Sequence, residues 1–183
     1  MIECVSLNKQ YRGKRQTVDA VKDVNLKIEK GEFVLLKGRS GAGKSTLLNL
    51  IGGLITPTSG EVTVDGLLIN KLDNRSLSNL LLNRIGVIFQ SFNLLPTYDV
   101  YENIEVALAP MGLTGKEIQN MALPYFEQFG LSDKLHLLPE ELSTGQQQKV
   151  TIIRTLIRRP SVILADEPTA SVDDITAGEI LDY

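Results

Sequence analysis

The sequence predicts an α/β fold with a mainly parallel sheet, an antiparallel β region near the N-terminus and an inserted helical lobe. Residues 24–29 (VNLKIE) and 61–66 (EVTVDG) alternate apolar and polar side chains with period two, which is typical of strands with one solvated face. Residues 33–36 (FVLL), 85–89 (IGVIF) and 162–165 (VILA) are uninterrupted apolar runs. Such runs are typical of parallel strands that are covered on both faces.

Helical segments connect these strands in the predicted fold. They cover three ranges, 45–51, much of 99–129, and 145–159. Pro160 stops the last helix, because proline cannot continue the hydrogen-bonding pattern. We predict a single domain over residues 1–183, with a core formed by approximately 1–95 and 155–183 and a helical lobe at 96–154.

The composition is that of an ordinary globular protein. Its 183 residues include 22 acidic and 19 basic side chains, which give a net charge of −3. Without a run of basic residues, this charge does not indicate a nucleic-acid-binding surface. The single cysteine, Cys4, fits a reducing compartment, and we interpret it as a small buried apolar residue. The longest apolar stretch, 47–55, is far shorter than the roughly 20 residues that span a bilayer. The N-terminus shows no signal-peptide pattern, so we expect a cytoplasmic chain that reaches a membrane only through a partner.

Residues 38–46 (GRSGAGKST) have the pattern of a phosphate-binding loop between a strand and a helix. Glycines there allow positive φ, which brings backbone N–H groups against phosphate oxygens. Lys44 adds a cation near the outer phosphates, and the Ser45 hydroxyl suits Mg²⁺. The predicted nucleotide contacts are Gly38, Arg39, Ser40, Gly41, Ala42, Gly43, Lys44, Ser45 and Thr46. The alternative interpretation is a glycine-rich turn with a chance lysine.

Two carboxylates follow the apolar run at 162–165. We predict that Asp166 holds Mg²⁺, directly or through water, and that Glu167 is the general base for an attacking water molecule. Phosphoryl transfer needs such a water in line with the bond that breaks. The alternative interpretation is two solvated acids at the end of a strand.

The segment 140–150 (EELSTGQQQKV) is a polar helix start. Ser143 and Gln146 have the spacing of a capping box, which predicts a helix beginning near Thr144 with Gly145 in its first turn. The positive end of a helix is an anion site, although a capped helix without any ligand is the alternative interpretation.

Five motifs in this order resemble the nucleotide-binding subunit of ABC transporters: GRSGAGKST (38–46), FQSFNLL (89–95), LSTGQQQKV (142–150), ILADEPT (163–169) and SVD (171–173). The resemblance covers essentially the whole chain. It implies a P-loop NTPase fold, ATP and Mg²⁺ as ligands, and a head-to-tail dimer with a second ATP-binding module. It also implies a transmembrane permease subunit as partner, which would hold the chain on the inner face of the cell membrane.

The resemblance assigns further residues. It implies that Tyr11 stacks on adenine, that Gln90 reaches Mg²⁺ and the attacking water, and that Asp173 belongs to a loop at the dimer interface. Without the resemblance, Tyr11 would be interpreted as a surface or core aromatic residue, Gln90 as a polar residue at a strand end and Asp173 as a helix cap. The signature residues Ser143, Gly145 and Gln146 would contact the nucleotide of the facing module. The expected catalytic residues are Glu167, Lys44 and Gln90, and the expected metal ligands are Ser45, Gln90 and Asp166.

Residues 18–54 and 85–108 look most like the branch of lipoprotein-releasing, macrolide-exporting and cell-division ATPases. That branch implies export, or handling of envelope lipids, lipoproteins or peptides. Three positions depart from the family pattern, and Arg39 and Lys149 are the milder departures. The signature has Thr144 where the family usually has glycine, which puts the strength of ATP-driven dimerisation in question. His136, the only histidine, precedes the signature and is interpreted as an ordinary residue of the helical lobe.

The chain ends at Tyr183, before the strand and histidine that the resemblance implies. We therefore expect a truncated chain that hydrolyses ATP poorly or not at all. The leading function is a transport ATPase subunit. The alternatives are a truncated nucleotide-binding protein without turnover and a soluble ABC ATPase that does not act in transport.

Overall fold

The structure, a computed structural model, describes residues 1–14 and 16–169. The chain divides into two compact units between Leu81 and Leu82. Its strands and helices, in chain order, are β1 (Ile2–Arg12), β2 (Thr17–Ile28), α1 (Lys44–Ile51), β3 (Ser59–Val64), β4 (Leu67–Leu68), α2 (Asn74–Asn83), β5 (Ile85–Ile88), α3 (Val100–Leu108), α4 (Gly115–Gln128), α5 (Thr144–Leu156) and β6 (Val162–Ala165). Single 3-10 turns lie at Ile69–Lys71, Ala109–Met111 and Pro139–Glu141.

The first unit contains the predicted antiparallel region, which is confirmed. Its four strands lie in the order β2-β1-β3-β4, and Ile2 pairs with Ile28 on one side and Val64 on the other. Asp65 and Gly66 link β3 to β4, and both have positive φ, 49° and 79°. This is the geometry of the tight hairpin turn for which Asp-Gly is favoured.

Cys4 lies in the buried row of β1, as the sequence predicts. Its side chain is 2% exposed. Burial, and secondarily the Glu3 carboxylate, raise the pKa of the Cys4 thiol to about 11. The thiol is therefore a neutral core group over the ordinary pH range.

The second unit contains a parallel pair of strands. Ile85 to Ile88 pair in register with Val162 to Ala165, which confirms two of the three predicted apolar strands. Gly86 is required there, because a Cβ would overlap the methyl group of Thr155 on α5. The prediction that 162–165 is covered on both faces is wrong for the described residues, since Ile163 is 47% exposed.

The predicted strand at 33–36 is absent from the described structure. These residues belong to no strand, and the side chain of Phe33 is 88% exposed. An apolar run becomes a strand only when neighbouring strands satisfy its backbone N–H and C=O groups. No described strand pairs with 33–36, so apolar composition alone does not order it.

The helical lobe is built on one apolar cluster. Ile104, Phe126 and Ile153, from α3, α4 and α5, are fully buried within it. Each of these helices begins with a capping box, formed by Asp99 with Glu102, Thr114 with Glu117, and Ser143 with Gln146. The predicted helical stretch 99–129 is therefore two helices, because the second capping box starts a new one at Gly115. No helix among the described residues has the length and apolarity to cross a membrane.

The buried thiol predicts a specific loss of stability at high pH. The unfolded thiol ionises near pH 9.0 and the folded one near 11, so above pH 9 the unfolded state binds fewer protons and the free energy of unfolding falls. Between pH 8.5 and 10.5 we expect the unchanged chain to lose about 2 kcal/mol more than Cys4→Ala. Urea unfolding followed by circular dichroism measures both. Equal losses would contradict the assignment, because all other titrating groups are common to the two chains.

Candidate functional site

The phosphate-binding loop precedes α1 in the first unit. Gly41 and Gly43 have φ of 77° and 90°, so the predicted positive φ is confirmed at these two positions, whereas Gly38 does not show it. Gly43 directly precedes the helix, and a Cβ there would also overlap the backbone carbonyl oxygen of Ala20 on β2. Glycine is therefore required at residue 43 for both its conformation and its lack of a side chain.

Lys44 is held over the loop by the loop's own backbone. Its Nζ donates to the carbonyl oxygens of Gly38 at 3.0 Å and Arg39 at 3.2 Å. An ammonium group carries three N–H donors, and these two bonds use two of them. The side chain thus closes the loop and keeps a positive charge at its mouth, where the sequence analysis expects the outer phosphates.

Tyr11 lies near the end of β1 with its side chain 46% exposed. The Nζ of Lys9 lies 5.2 Å from the centroid of the Tyr11 ring, and it also donates to the carbonyl oxygen of Thr56 at 2.7 Å. A cation therefore covers part of the ring. The remaining exposed ring surface is of the kind that a nucleotide base stacks on.

The ends of β5 and β6 bring two predicted catalytic residues together in the second unit. The N–H of Asp166 donates to the carbonyl oxygen of Ile88 at 2.9 Å, which extends the pairing of the strands by one residue. Beyond this bond, Nε2 of Gln90 donates to Oε2 of Glu167 at 3.0 Å. Glu167 has φ of 48°, a conformation that residues with a Cβ adopt only when their surroundings hold it.

The Gln90–Glu167 bond fits the predicted metal chemistry. Gln90 uses its amide N–H₂ group toward Glu167, so its carbonyl oxygen remains as a potential ligand. The Asp166 carboxylate in the same unit is a second oxygen donor of the kind that Mg²⁺ prefers. Ser45, the third predicted ligand, belongs to the first unit.

The signature segment forms the helix start that the sequence predicts. Oγ of Ser143 accepts from the N–H of Gln146 at 3.3 Å, and Oε1 of Gln146 accepts from the N–H of Ser143 at 3.0 Å. Helix α5 begins at Thr144, whose side chain is exposed, with Gly145 in the first turn. The two capping side chains bond to each other's backbone, so the first-turn N–H groups of Thr144 and Gly145 are left for an anion.

Two further predicted residues have different outcomes. His136 lies in the loop after α4, where its Nδ1 is 3.1 Å from Oδ2 of Asp99 and its side chain is 85% exposed. It is thus a surface residue of the helical lobe, as predicted. Asp173 lies outside the described residues.

The sequence did not predict a role for two polar side chains of α5, which bind the backbone next to Glu167 and close to Gln90. Gln148 donates to the carbonyl oxygen of Pro168, and Arg154 donates to those of Phe92 and Asn93. One signal was available in the sequence. A polar residue at a position that the helical period assigns to the apolar face needs an internal hydrogen-bond partner.

The chain has close relatives among known proteins. A profile of the family described as "ABC transporter" matches residues 21–170. The cell division ATP-binding protein FtsE of Mycobacterium tuberculosis is 43% identical over 182 residues, which are 100% of this chain and 78% of that protein. The methionine import ATP-binding protein MetN of Carboxydothermus hydrogenoformans is 45% identical over 181 residues, which are 99% of this chain and 53% of that protein.

A solved structure has the same fold. It is the ATP-binding cassette MJ0796 of Methanocaldococcus jannaschii, a dimer in a post-hydrolysis state bound to ADP and Pi. Its TM-score is 0.93 at 39% sequence identity, and the match covers 100% of this chain and 80% of that one. The α/β P-loop NTPase fold predicted from the sequence is thereby confirmed.

The geometry at Gly43 yields a prediction for the loop. Gly43→Ala adds a Cβ at positive φ against the Ala20 carbonyl, so we expect the free energy of unfolding to fall by about 2–3 kcal/mol. Gly31→Ala is a matched control, because Gly31 also has positive φ, 83°, but no atom within 4 Å of the added Cβ. Urea unfolding of both variants measures the difference, and an equal loss of stability would show that the contact with Ala20 contributes nothing.

Proposed function

This chain belongs to the ABC transporter family, and we propose that it is the subunit that couples ATP hydrolysis to transport by a separate membrane subunit. The observation that best supports hydrolysis is the 3.0 Å hydrogen bond between Gln90 and Glu167. It places the candidate general base beside the candidate water-positioning amide, at the edge of the sheet where Asp166 also lies. Such an arrangement suits in-line attack by water on a phosphoryl group.

Each residue then has a defined task. The N–H groups of residues 38–46 bind the phosphates of ATP, Lys44 neutralises charge on the outer phosphates, and Tyr11 stacks on the adenine. Ser45, Gln90 and Asp166 would hold Mg²⁺, which offsets the negative charge of the phosphates when bound. Glu167 accepts a proton from the attacking water while Gln90 keeps that water and the carboxylate in place.

The start of α5 serves a second nucleotide in this proposal. Ser143, Gly145 and Gln146 contact the γ-phosphate held by the loop of a second module, with Asp173 at the same interface. Support comes from the dimeric arrangement of MJ0796, which binds ADP and Pi. A head-to-tail dimer of this chain would use both phosphate sites of each module, since the two contacts are equivalent by the two-fold axis.

The proposed transport partner and direction rest on similarity to other proteins. FtsE agrees with the branch of exporters and cell-division ATPases to which the sequence was assigned. MetN, of similar identity, is a methionine import protein, so the branch is not separated from importers by identity alone. We propose export or handling of envelope lipids, lipoproteins or peptides, with the chain held at the inner face of the cell membrane by its permease. Co-purification of the chain with a membrane protein would support this proposal over the alternative of a soluble ABC ATPase that does not act in transport.

Glu167→Gln tests the catalytic proposal. It removes the base but keeps the size of the side chain, so we expect kcat for ATP to fall about 10²- to 10⁴-fold while ATP still binds. Glu127→Gln is the matched control, because it makes the same chemical change at an exposed position of α4. Phosphate release and nucleotide binding are measured on both variants with Mg²⁺ present.

The same assay separates the alternatives. Equal turnover in Glu167→Gln and Glu127→Gln would remove Glu167 from the reaction. Binding of ATP without turnover in the unchanged chain would favour the non-hydrolysing alternative. Turnover without any membrane partner in purification would favour the soluble ATPase.

A further inference from the structure

Helix α5 holds the backbone on both sides of the Gln90–Glu167 pair. We propose that this helix sets the distance between the two side chains, and that Gln148 and Arg154 are positioning residues for ATP hydrolysis. The inference rests on the proposed function, because the pair has a catalytic role only if the chain hydrolyses ATP.

Gln148 holds the side of the pair that carries Glu167. Its side chain is 2% exposed, and its Nε2 donates to the carbonyl oxygen of Pro168 at 2.6 Å. Pro168 directly follows Glu167, whose φ of 48° needs support from its surroundings. A buried amide without this partner would be costly, so the bond fixes Pro168, and with it Glu167, relative to the helix.

Arg154 and Thr151 hold the side of the pair that carries Gln90. The guanidinium of Arg154 donates to the carbonyl oxygen of Asn93 at 2.7 Å and to that of Phe92 at 3.0 Å. The hydroxyl of Thr151, itself buried, lies 3.1 Å from the same Phe92 oxygen and 3.1 Å from the Gln147 carbonyl oxygen, and shares its one proton between them. Two guanidinium N–H groups and this shared hydroxyl therefore hold the backbone at Phe92 and Asn93, two and three residues after Gln90. Asn93, like Glu167, has a positive φ, 49°.

The two attachments are joined by a rigid element. Gln148, Thr151 and Arg154 are separated by three residues each, so all lie within two turns of one helix, about 9 Å from the first to the last. A helix of this length resists stretching, because each turn is closed by backbone hydrogen bonds. The separation of Glu167 and Gln90 is thus inherited from the spacing of side chains on α5, and loss of either attachment should let the 3.0 Å contact open.

The test compares substitutions that remove the bonds while keeping side-chain volume. Gln148→Met and Thr151→Val each remove one attachment, and Arg154→Met removes the guanidinium. Thr155→Val is the matched control, since Thr155 is buried one turn after Thr151 and its hydroxyl lies 3.1 Å from the Thr151 carbonyl oxygen and 3.3 Å from that of Val87. Neither acceptor belongs to the segments at 91–93 or 166–169. Arg154→Lys keeps one charged donor and should restore part of the activity lost in Arg154→Met.

We expect kcat for ATP to fall about 10- to 100-fold in Gln148→Met and Arg154→Met, the loss typical of a catalytic group displaced by about 1 Å. The KM for ATP should stay within about twofold, because the phosphate-binding loop is not altered. In a Glu167→Gln background, Gln148→Met should cause little further loss, since it acts through Glu167. A kcat equal to that of Thr155→Val, or a full additional loss in the Glu167→Gln background, would overturn the inference.

Hydrogen exchange gives a reading that does not depend on turnover. The backbone amides of Asp166, Glu167 and Thr169 should exchange about tenfold faster in Gln148→Met than in Thr155→Val. Those at 91–93 should exchange about tenfold faster in Thr151→Val than in Thr155→Val. If the unchanged chain does not hydrolyse ATP, the proposed function fails, and exchange still decides whether α5 holds the two segments. Unchanged exchange at both segments would overturn the inference even if turnover fell. Gln148→Met and Thr151→Val act on different segments, so failure of one variant to fold leaves the other decisive.

Discussion

The parallel pairing of β5 with β6 is the constraint on which the candidate catalytic edge of the sheet depends. Four residue pairs, from Ile85 with Val162 to Ile88 with Ala165, align the two strands so that both end at the same edge. Gln90 and Glu167 meet there although they are 77 residues apart in sequence. A shift of one residue in register would turn the side chains of one strand to the opposite face and separate this pair. The contact of Gly86 with Thr155 protects the register, because a larger residue could not occupy that position beside α5.

The sequence was most informative where structure is set by local chemistry. The capping box at Ser143 and the glycine-rich loop each depend on a few neighbouring residues, and both were found where predicted. The prediction of a strand at 33–36 is wrong for the opposite reason. Whether an apolar segment forms a strand depends on distant strands that pair with it, and its own residues carry no information about that pairing.

The residues of the candidate site could be predicted from the sequence, but the side chains that hold them in place could not. A family resemblance identifies Gln90 and Glu167, and the structure then shows that they touch. Gln148 lies within the LSTGQQQKV motif and Arg154 lies outside the five motifs, but the sequence assigned neither of them a role. Glutamine and arginine on a helix are more often solvated. The helical period can mark such a position as internal, but the carbonyl groups that these side chains bind are distant in sequence and become visible only in the folded chain.

The three capping boxes of the helical lobe differ in charge. In α3 and α4 the residue that closes the box is a glutamate, Glu102 or Glu117, whose negative charge offsets the positive end of its helix. In α5 the same place is taken by Gln146, and the first turn contains no acidic residue. An amide completes the hydrogen bonds without neutralising the helix dipole, and it does not titrate. The start of α5 therefore keeps its electropositive character, whereas the starts of α3 and α4 each have a glutamate beside their first-turn N–H groups.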